Sequence, residues 1–307
     1  MAVNPSIQLG TSGNWAIKED NLLAYKQLGN KFFDREFDFS RGTRATFVGR
    51  NGLIKSAASD VPRIDFSDST NGALLLEPQS TNLIPYSENV LLWSTSGTII
   101  RQDNVSISPD GTQSASTITS GNDTNFNRIR QNFSVSANST CTASLFIKKV
   151  QTETNYLGLS IVFTGGTTDV AYVSFDSVNG ISRNMDSRIT AILNVVDYGT
   201  YWRLEATATD SGSNTQLEMA VYPTLSTDGI NVAPGASSVR TIWGMQLELN
   251  SSYATSYIPS LSGSATTRLA DVCNNSGTAS DFNSEEGVLY AEIAYPNQTT
   301  SSNLRIA

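Results

Sequence analysis

YLGLSIVFTGGTTDVAYVSFDS, residues 156–177, decides the fold class, because it holds two runs of β-branched and apolar residues joined by a glycine-rich turn. Successive side chains of a strand point to opposite faces, so Val173 and Phe175 share one face while Tyr172 and Ser174 take the other. The joining TGGT at 164–167 lacks the lysine and the strand-to-helix context of a phosphate loop and reads as a hairpin, as do TSGN and SGSN elsewhere.

The same signal recurs outward from this hairpin, between about Leu83 and Ser260, in STITS, RIRQNFSVS, CTASLFIKKV, AILNVVDYG, YWRLEATATD, TQLEMAVYP and VRTIWGMQLEL. Leu145 and Ile147 fall on one face of their run. Turn chemistry separates the runs at SPDG (108–111), VNG (178–180), SGSN (211–214) and APGA (233–236). Short strands at such intervals predict an all-β protein with a jelly-roll or β-sandwich domain over residues 83–260.

Residues 37–82 carry Asn51-Gly52 and Asn71-Gly72, the hairpin dipeptides, between the short apolar runs ATFV, GLIK and ALLLE. Two small hairpins are expected, with apolar faces that the sandwich or neighbouring subunits must cover. Arg41, Arg44, Arg50, Lys55 and Arg63 alternate here with Asp38, Asp60, Asp65, Asp68 and Glu77, and are expected on the surface, solvated or ion-paired. Residues 1–36 spread few apolar positions among polar ones and need a partner surface. Their DNLLAYKQLGN reads either as a short helix from Asp20 or Asn21 to Gly29, or as a strand alternating through Leu23 and Tyr25, the reading favoured here.

Composition excludes several function classes. The 307 residues carry 20 Lys and Arg against 28 Asp and Glu, a net charge of −8, which disfavours a nucleic-acid backbone as partner. No window approaches 18 consecutive apolar residues, and MAVNPSIQLG has neither the basic start nor the apolar core of a signal peptide, so synthesis in a cytoplasm without membrane insertion is expected. With 0 histidines, Ser-His-Asp triads, Cys-His dyads and most zinc sites are absent. Cys141 and Cys273 are too few for a disulfide framework and read as packed thiols.

The stretch 37–86 contains Phe39-Ser40-Arg41, Arg44-Ala45-Thr46, Asn51-Gly52-Leu53-Ile54, Val61-Pro62-Arg63-Ile64-Asp65 and Leu75-Leu76-Glu77-Pro78-Gln79-Ser80-Thr81-Asn82-Leu83. Tyr86-Ser87-Glu88, Trp93 and Ser108-Pro109-Asp110-Gly111 follow. Gln246-Leu247-Glu248, Ala254-Thr255-Ser256-Tyr257-Ile258-Pro259 and Thr267-Arg268-Leu269-Ala270-Asp271 continue the pattern. Together these resemble bacteriophage virion fibre and spike proteins, the head-spike, head-fibre and tail-fibre subunits in which such a lead-in precedes a carbohydrate-binding-module-like β-sandwich. The resemblance implies a structural appendage subunit on the outside of the virion, usually a homotrimer, with host-surface adhesion as its work. Residues 1–36 would then be a virion anchor, with Ile7, Leu9, Trp15 and Ile17 docking on capsid, collar or tail proteins. Residues 37–82 would be a collar, 83–260 the sandwich, and 261–307 a linker with the first strand or strands of an incomplete or intersubunit module, signalled by Glu286–Ile293.

A glycan-binding sandwich presents aromatic platforms beside polar hydrogen-bonding groups, which makes Trp93, Tyr156 and Trp202 the candidate glycan residues. Trp243, in an apolar run, is expected in the core, and of Tyr201 and Trp202 one is expected inside and its neighbour outside. Asp169, Asp176, Asp186, Asp197 and Asp210 lie in or beside turns and are expected to cap backbone N–H groups. No spacing matches an EF-hand loop, and no cofactor or metal is expected. Because the β-helix repeats usual in phage depolymerases are not visible, the chain is expected to be no enzyme.

Overall fold

The computed structural model describes residues 22–28, 31–36, 38–121, 126–150, 156–185, 188–225 and 238–274. The expected docking residues Ile7, Leu9, Trp15 and Ile17, the strand at 286–293, and Asp186 lie outside them. The chain is all-β, as its alternation predicts.

β1 (Leu22–Leu28) and β2 (Lys31–Glu36) pair antiparallel, so Leu22–Leu28 is extended, the reading favoured above. β3 (Asp38–Ser40) follows. β4 (Ala45–Val48) and β5 (Ile54–Ala57) then form one hairpin of the lead-in, and β6 (Ile64–Asp65) and β7 (Ala73–Leu74) a second. Gly52 and Gly72 sit in the left-handed region at φ +74° and +73°, as the two hairpin dipeptides require. β8 (Ser80–Asn82) leads into the sandwich.

The sandwich strands are β9 (Ser94–Ser96), β10 (Ile99–Ser106), β11 (Ala115–Ser120), β12 (Arg128–Ser134), β13 (Thr140–Lys148) and β14 (Leu157–Thr164). They continue with β15 (Asp169–Asp176), β16 (Ile181–Asn184), β17 (Ile192–Tyr198), β18 (Tyr201–Thr209), β19 (Gln216–Tyr222) and β20 (Val239–Leu249). The first sheet runs β10-β11-β20-β13-β18-β17 and the second β16-β15-β14-β19-β12-β9. Their central strands, β11-β20-β13-β18 facing β15-β14-β19-β12, interleave so that the chain crosses between sheets at nearly every step. That is jelly-roll topology.

One core fills the space between the sheets. Leu145 and Ile147 of β13 meet Leu159, Ile161 and Phe163 of β14, Val173 and Phe175 of β15, Leu204 of β18, and Met219 and Val221 of β19. The alternation read in residues 156–177 thus orients the second sheet correctly.

The outer face of the first sheet is polar yet buried. Thr142, Ser144, Arg203, Glu205, Thr207, Gln246 and Glu248 lie there, all beneath the surface. The cover comes from the lead-in and from residues 251–260. Ile54 enters an apolar cluster with Ala115, Phe146, Tyr201, Trp243 and Tyr257, and Thr46 Oγ1 donates to the Tyr257 carbonyl at 2.5 Å. The apolar faces of the lead-in hairpins are therefore met by their own chain.

After the sandwich the chain returns. β21 (Thr266–Arg268) pairs antiparallel with β8, and β22 (Val272–Asn274) with β3, where Asn274 stands opposite Asp38. Residues 266–274, expected to belong to a linker and a further module, are in the structure the closing strands of the lead-in. Short strands gain a sheet only by finding a partner, and here that partner lies more than 180 residues earlier.

Candidate functional site

The residues that carry the family resemblance converge. Arg41 Nη1 donates to Asp271 Oδ1 at 2.9 Å, while Arg41 Nη2 reaches the carbonyls of Ala58 at 2.6 Å and Val61 at 3.1 Å. Arg63 Nη2 bonds Asp271 Oδ2, and Arg63 Nη1 donates to Glu77 Oε2 at 2.8 Å and to Ser256 Oγ at 2.9 Å. Arg268 Nη1 lies 3.5 Å from Glu77 and 3.8 Å from Asp271. None of these five side chains is more than 8% exposed.

This arrangement corrects the expectation that the lead-in arginines are surface groups. Arg41 and Arg63 are buried, whereas Arg44, Arg50 and Lys55 are exposed as expected. A guanidinium leaves water only against fixed carboxylates and carbonyls, and the carboxylate of Asp271 lies 208 residues from Arg63, beyond the reach of any local pattern. Burial by itself would raise the pKa of Glu77, but Arg268, Arg63 and the Ser256 bonds outweigh it and hold the carboxyl below 4.5.

The ionic cluster continues onto the buried face of the first sheet. Glu248 accepts from Ser80 Oγ at 2.5 Å, Thr255 Oγ1 at 2.6 Å, the Thr255 amide at 3.0 Å and Gln246 Nε2 at 2.8 Å. Asn82 joins segments through four bonds. Its Nδ2 donates to the carbonyls of Met245 at 3.1 Å and Ile258 at 2.9 Å, and its Oδ1 accepts from the amides of Ile84 at 3.0 Å and Leu247 at 3.1 Å. Every polar member of the signature treated so far is thus a structural tie.

Beside this cluster, a groove of about 430 Å3 runs between residues 78–83 and residues 249–255. Gln79, Thr81, Asn250, Ser251 and Ser252 supply hydroxyl and amide groups, and Leu83, Leu249 and Tyr253 supply apolar surface. The mixture of one ring with several neutral hydrogen-bonding groups suits a polyhydroxylated ligand. Sequence reasoning missed the groove because its two walls are more than 160 residues apart.

The three glycan candidates fare differently. Trp93 is 3% exposed and packs in the main core, so it presents no platform; a ring that can bury its area there gains more than one left in water. Trp202 is half-buried against the same core and donates Nε1 to the Ser177 carbonyl at 3.1 Å. Lys149 Nζ stands 3.8 Å from its ring centroid, and the backbone of Gly180, at φ +68°, lies so close that a Cβ would meet the indole at 2.8 Å. Its ring is therefore occupied within the chain. The expectation that one of Tyr201 and Trp202 stands outside is corrected as well, since Tyr201, on the opposite face from Trp202, is buried in the cluster of Ile54, Ala115, Phe146, Trp243 and Tyr257. Tyr156 is half-exposed at the start of β14, where its carbonyl accepts from the Leu225 amide at 2.8 Å.

The turn aspartates do what turn position predicts. Asp176 accepts from the amides of Val178 and Asn179, Asp197 from Gly199, Asp210 from Asn138 and Asn214, and Asp169 from Ser211. Among the described residues no group of three or more acidic or cysteine side chains is placed to hold a metal ion.

No protein-family model matches the chain, and no curated protein matches it. Among solved structures it is similar to the enzymatically active domain of tailspike protein 4 of bacteriophage CBA120, at 12% identity and a TM-score of 0.31. The match covers 55% of this chain and spans about a fifth, 21%, of that one. A likeness this slight carries no functional argument for the chain. That domain is described as enzymatically active, which stands against the expectation that this chain is no enzyme, and that expectation is carried no further.

Proposed function

We propose that the chain is a structural subunit of a bacteriophage virion appendage, attached to the particle through its N-terminal region and presenting the sandwich outward for adhesion to the host surface. The observation that carries this reading is the pairing of β3 with β22. It sets Asp38 opposite Asn274, so the two ends of the unit made by the lead-in and the jelly roll lie about one strand spacing, roughly 5 Å, apart. The lead-in and jelly roll then form a lobe closed at that one point. The buried ions around Asp271 fasten that lobe at its neck.

Exposed Val61, Leu76, Leu269 and Val272 surround the neck and give neighbouring copies an apolar surface to cover, which supports self-association; the homotrimer itself is what the family resemblance implies. The groove between residues 78–83 and 249–255 supports a second reading, a receptor-recognition module for a host polysaccharide.

The test is mass in solution together with electron microscopy of intact particles carrying an N-terminal label. Trimers found on the particle surface, with the label at the particle end, are expected. A strict monomer that never enters particles overturns the proposal. For the second reading, host polysaccharide arrays should lose their signal when Tyr253 is replaced by Ala; no signal from the unchanged chain would leave the sandwich purely architectural.

A further inference from the structure

The second sheet has a different outer face, with arginines where the rest of the chain is acidic. Arg128 and Arg130 of β12 both reach Glu218 of β19, at 3.5 Å from Arg128 Nη2 and 2.7 Å from Arg130 Nη1. Two guanidiniums share one carboxylate, leaving an excess of positive charge on side chains that are 24% and 35% exposed. Arg130 engages Glu218 through Nη1 alone, and because the Nε atoms of both arginines are buried, a ligand would be met by the Nη groups. Arg183 of β16, exposed and opposite Ser174, and Arg188, which donates to the Thr168 carbonyl at 2.9 Å, add charge of the same sign. Against this stand Glu218 and Asp176, the latter bonded within its own turn.

Aromatic rings lie among these charges. Tyr222 is buried and fixed by Arg128 Nη1 on its hydroxyl at 3.0 Å. It forms edge-on contacts with Phe126, centroids 6.2 Å apart, and with Tyr172, 6.5 Å apart. Phe126 is exposed and Tyr172 half-exposed, so each has ring area for a further partner.

We propose that this face is a binding site for an acidic polysaccharide. The sugar carboxylates pair with Arg128 and Arg130, and the apolar faces of the sugar rings rest on Phe126 and Tyr172. A planar guanidinium matches a carboxylate in a two-point bond, and a sugar's C–H face packs on an aromatic ring. The site is separate from the groove beside the lead-in, and it rests on the adhesion reading only in taking a surface polymer as its ligand.

The experiment is native electrophoresis of the full chain in gels containing polygalacturonate, its fully methyl-esterified form, neutral dextran or duplex DNA. Retardation is expected from polygalacturonate alone, weakening as salt shortens the Debye length from about 14 Å to about 7 Å. Joint replacement Arg128→Gln and Arg130→Gln should weaken binding at least tenfold. The pair Arg44→Gln and Arg50→Gln, an equal change of charge on the lead-in, should leave it unchanged. Phe126→Ala, at an exposed position, provides a second loss that does not alter charge, and near-ultraviolet circular dichroism confirms folding of each variant. Equal retardation by the esterified polymer or by DNA, or equal loss from the lead-in pair, overturns the proposal. Binding to dextran but not to the acidic polymer overturns it while leaving adhesion standing. A chain that binds the acidic polymer yet never enters particles sinks the appendage reading and not this one.

Discussion

Arg41 and Asp271, 230 residues apart in sequence, form a 2.9 Å ion pair in which neither side chain is exposed to solvent. Asp271 also holds Arg63, so one carboxylate closes the neck between the start of the lead-in and the last described strands.

Replacing Asp271 with Ala leaves the buried Arg41 guanidinium without a carboxylate and Arg63 with Glu77 alone, and loss of one partner of a buried pair costs about 3–5 kcal/mol. Equilibrium denaturation in urea should show a loss of unfolding free energy of that size. A shift below about 1 kcal/mol would mean that the neck is wetter than the geometry indicates.

Glu77 makes stability depend on acid. Its folded pKa lies below the ordinary 4.5, so its contribution is fully present above that value and is lost as pH falls through the folded pKa. The melting temperature should therefore drop steeply below about pH 4.5. Glu77→Gln should be less stable at pH 7 and show a shallower acid slope; an unchanged slope would exclude Glu77 as the group responsible.

Asn82→Asp keeps the shape of the side chain but turns the donor facing the Met245 and Ile258 carbonyls into an acceptor. Each buried carbonyl left unpaired costs about 1–3 kcal/mol, so a loss of roughly 2–6 kcal/mol is expected in thermal or chemical denaturation. Asn82→Ser should do less damage because no charge is buried.

Burial pushes the Cys141 thiol up to about 12, and the side chain is inaccessible. With a thiol reagent at pH 8, Cys141 should react only on unfolding, while the partly exposed Cys273 reacts in the native protein. A native titre of two thiols would contradict the packing of β13.

Trp202 is held between Gly180 and Lys149, which makes Gly180→Ala an informative change. The added methyl would meet the indole at 2.8 Å with the backbone at φ +68°, so a loss of at least about 1 kcal/mol and altered tryptophan fluorescence are expected. Lys149→Ala should change the fluorescence with little effect on stability.

The strands of the jelly roll were legible because alternation and turn residues are local properties. Val173, Phe175, Leu145 and Ile147 point inward as period two requires, and Asp176, Asp197 and Asp210 cap the turns in which they stand. Alternation reports which side chains share a face, however, and not what covers that face. Ser144, Gln246 and Glu248 look like solvent-facing positions and are buried, because residues 251–260 and the lead-in lie over them. The same limit placed Trp93 on a ligand surface when it belongs to the core.

By itself, the chain of amino acids determined an all-β protein with a sandwich at its centre and two small hairpins ahead of it, since hydrogen-bonding period and turn chemistry act over a few residues. Tertiary structure alone decided that Arg41, Arg63, Glu77, Arg268 and Asp271 share one buried site, and that Arg128, Arg130, Phe126 and Tyr172 share one face. Buried charges and cross-strand neighbours are chosen by how distant segments come together, and their spacing along the chain carries no trace of it.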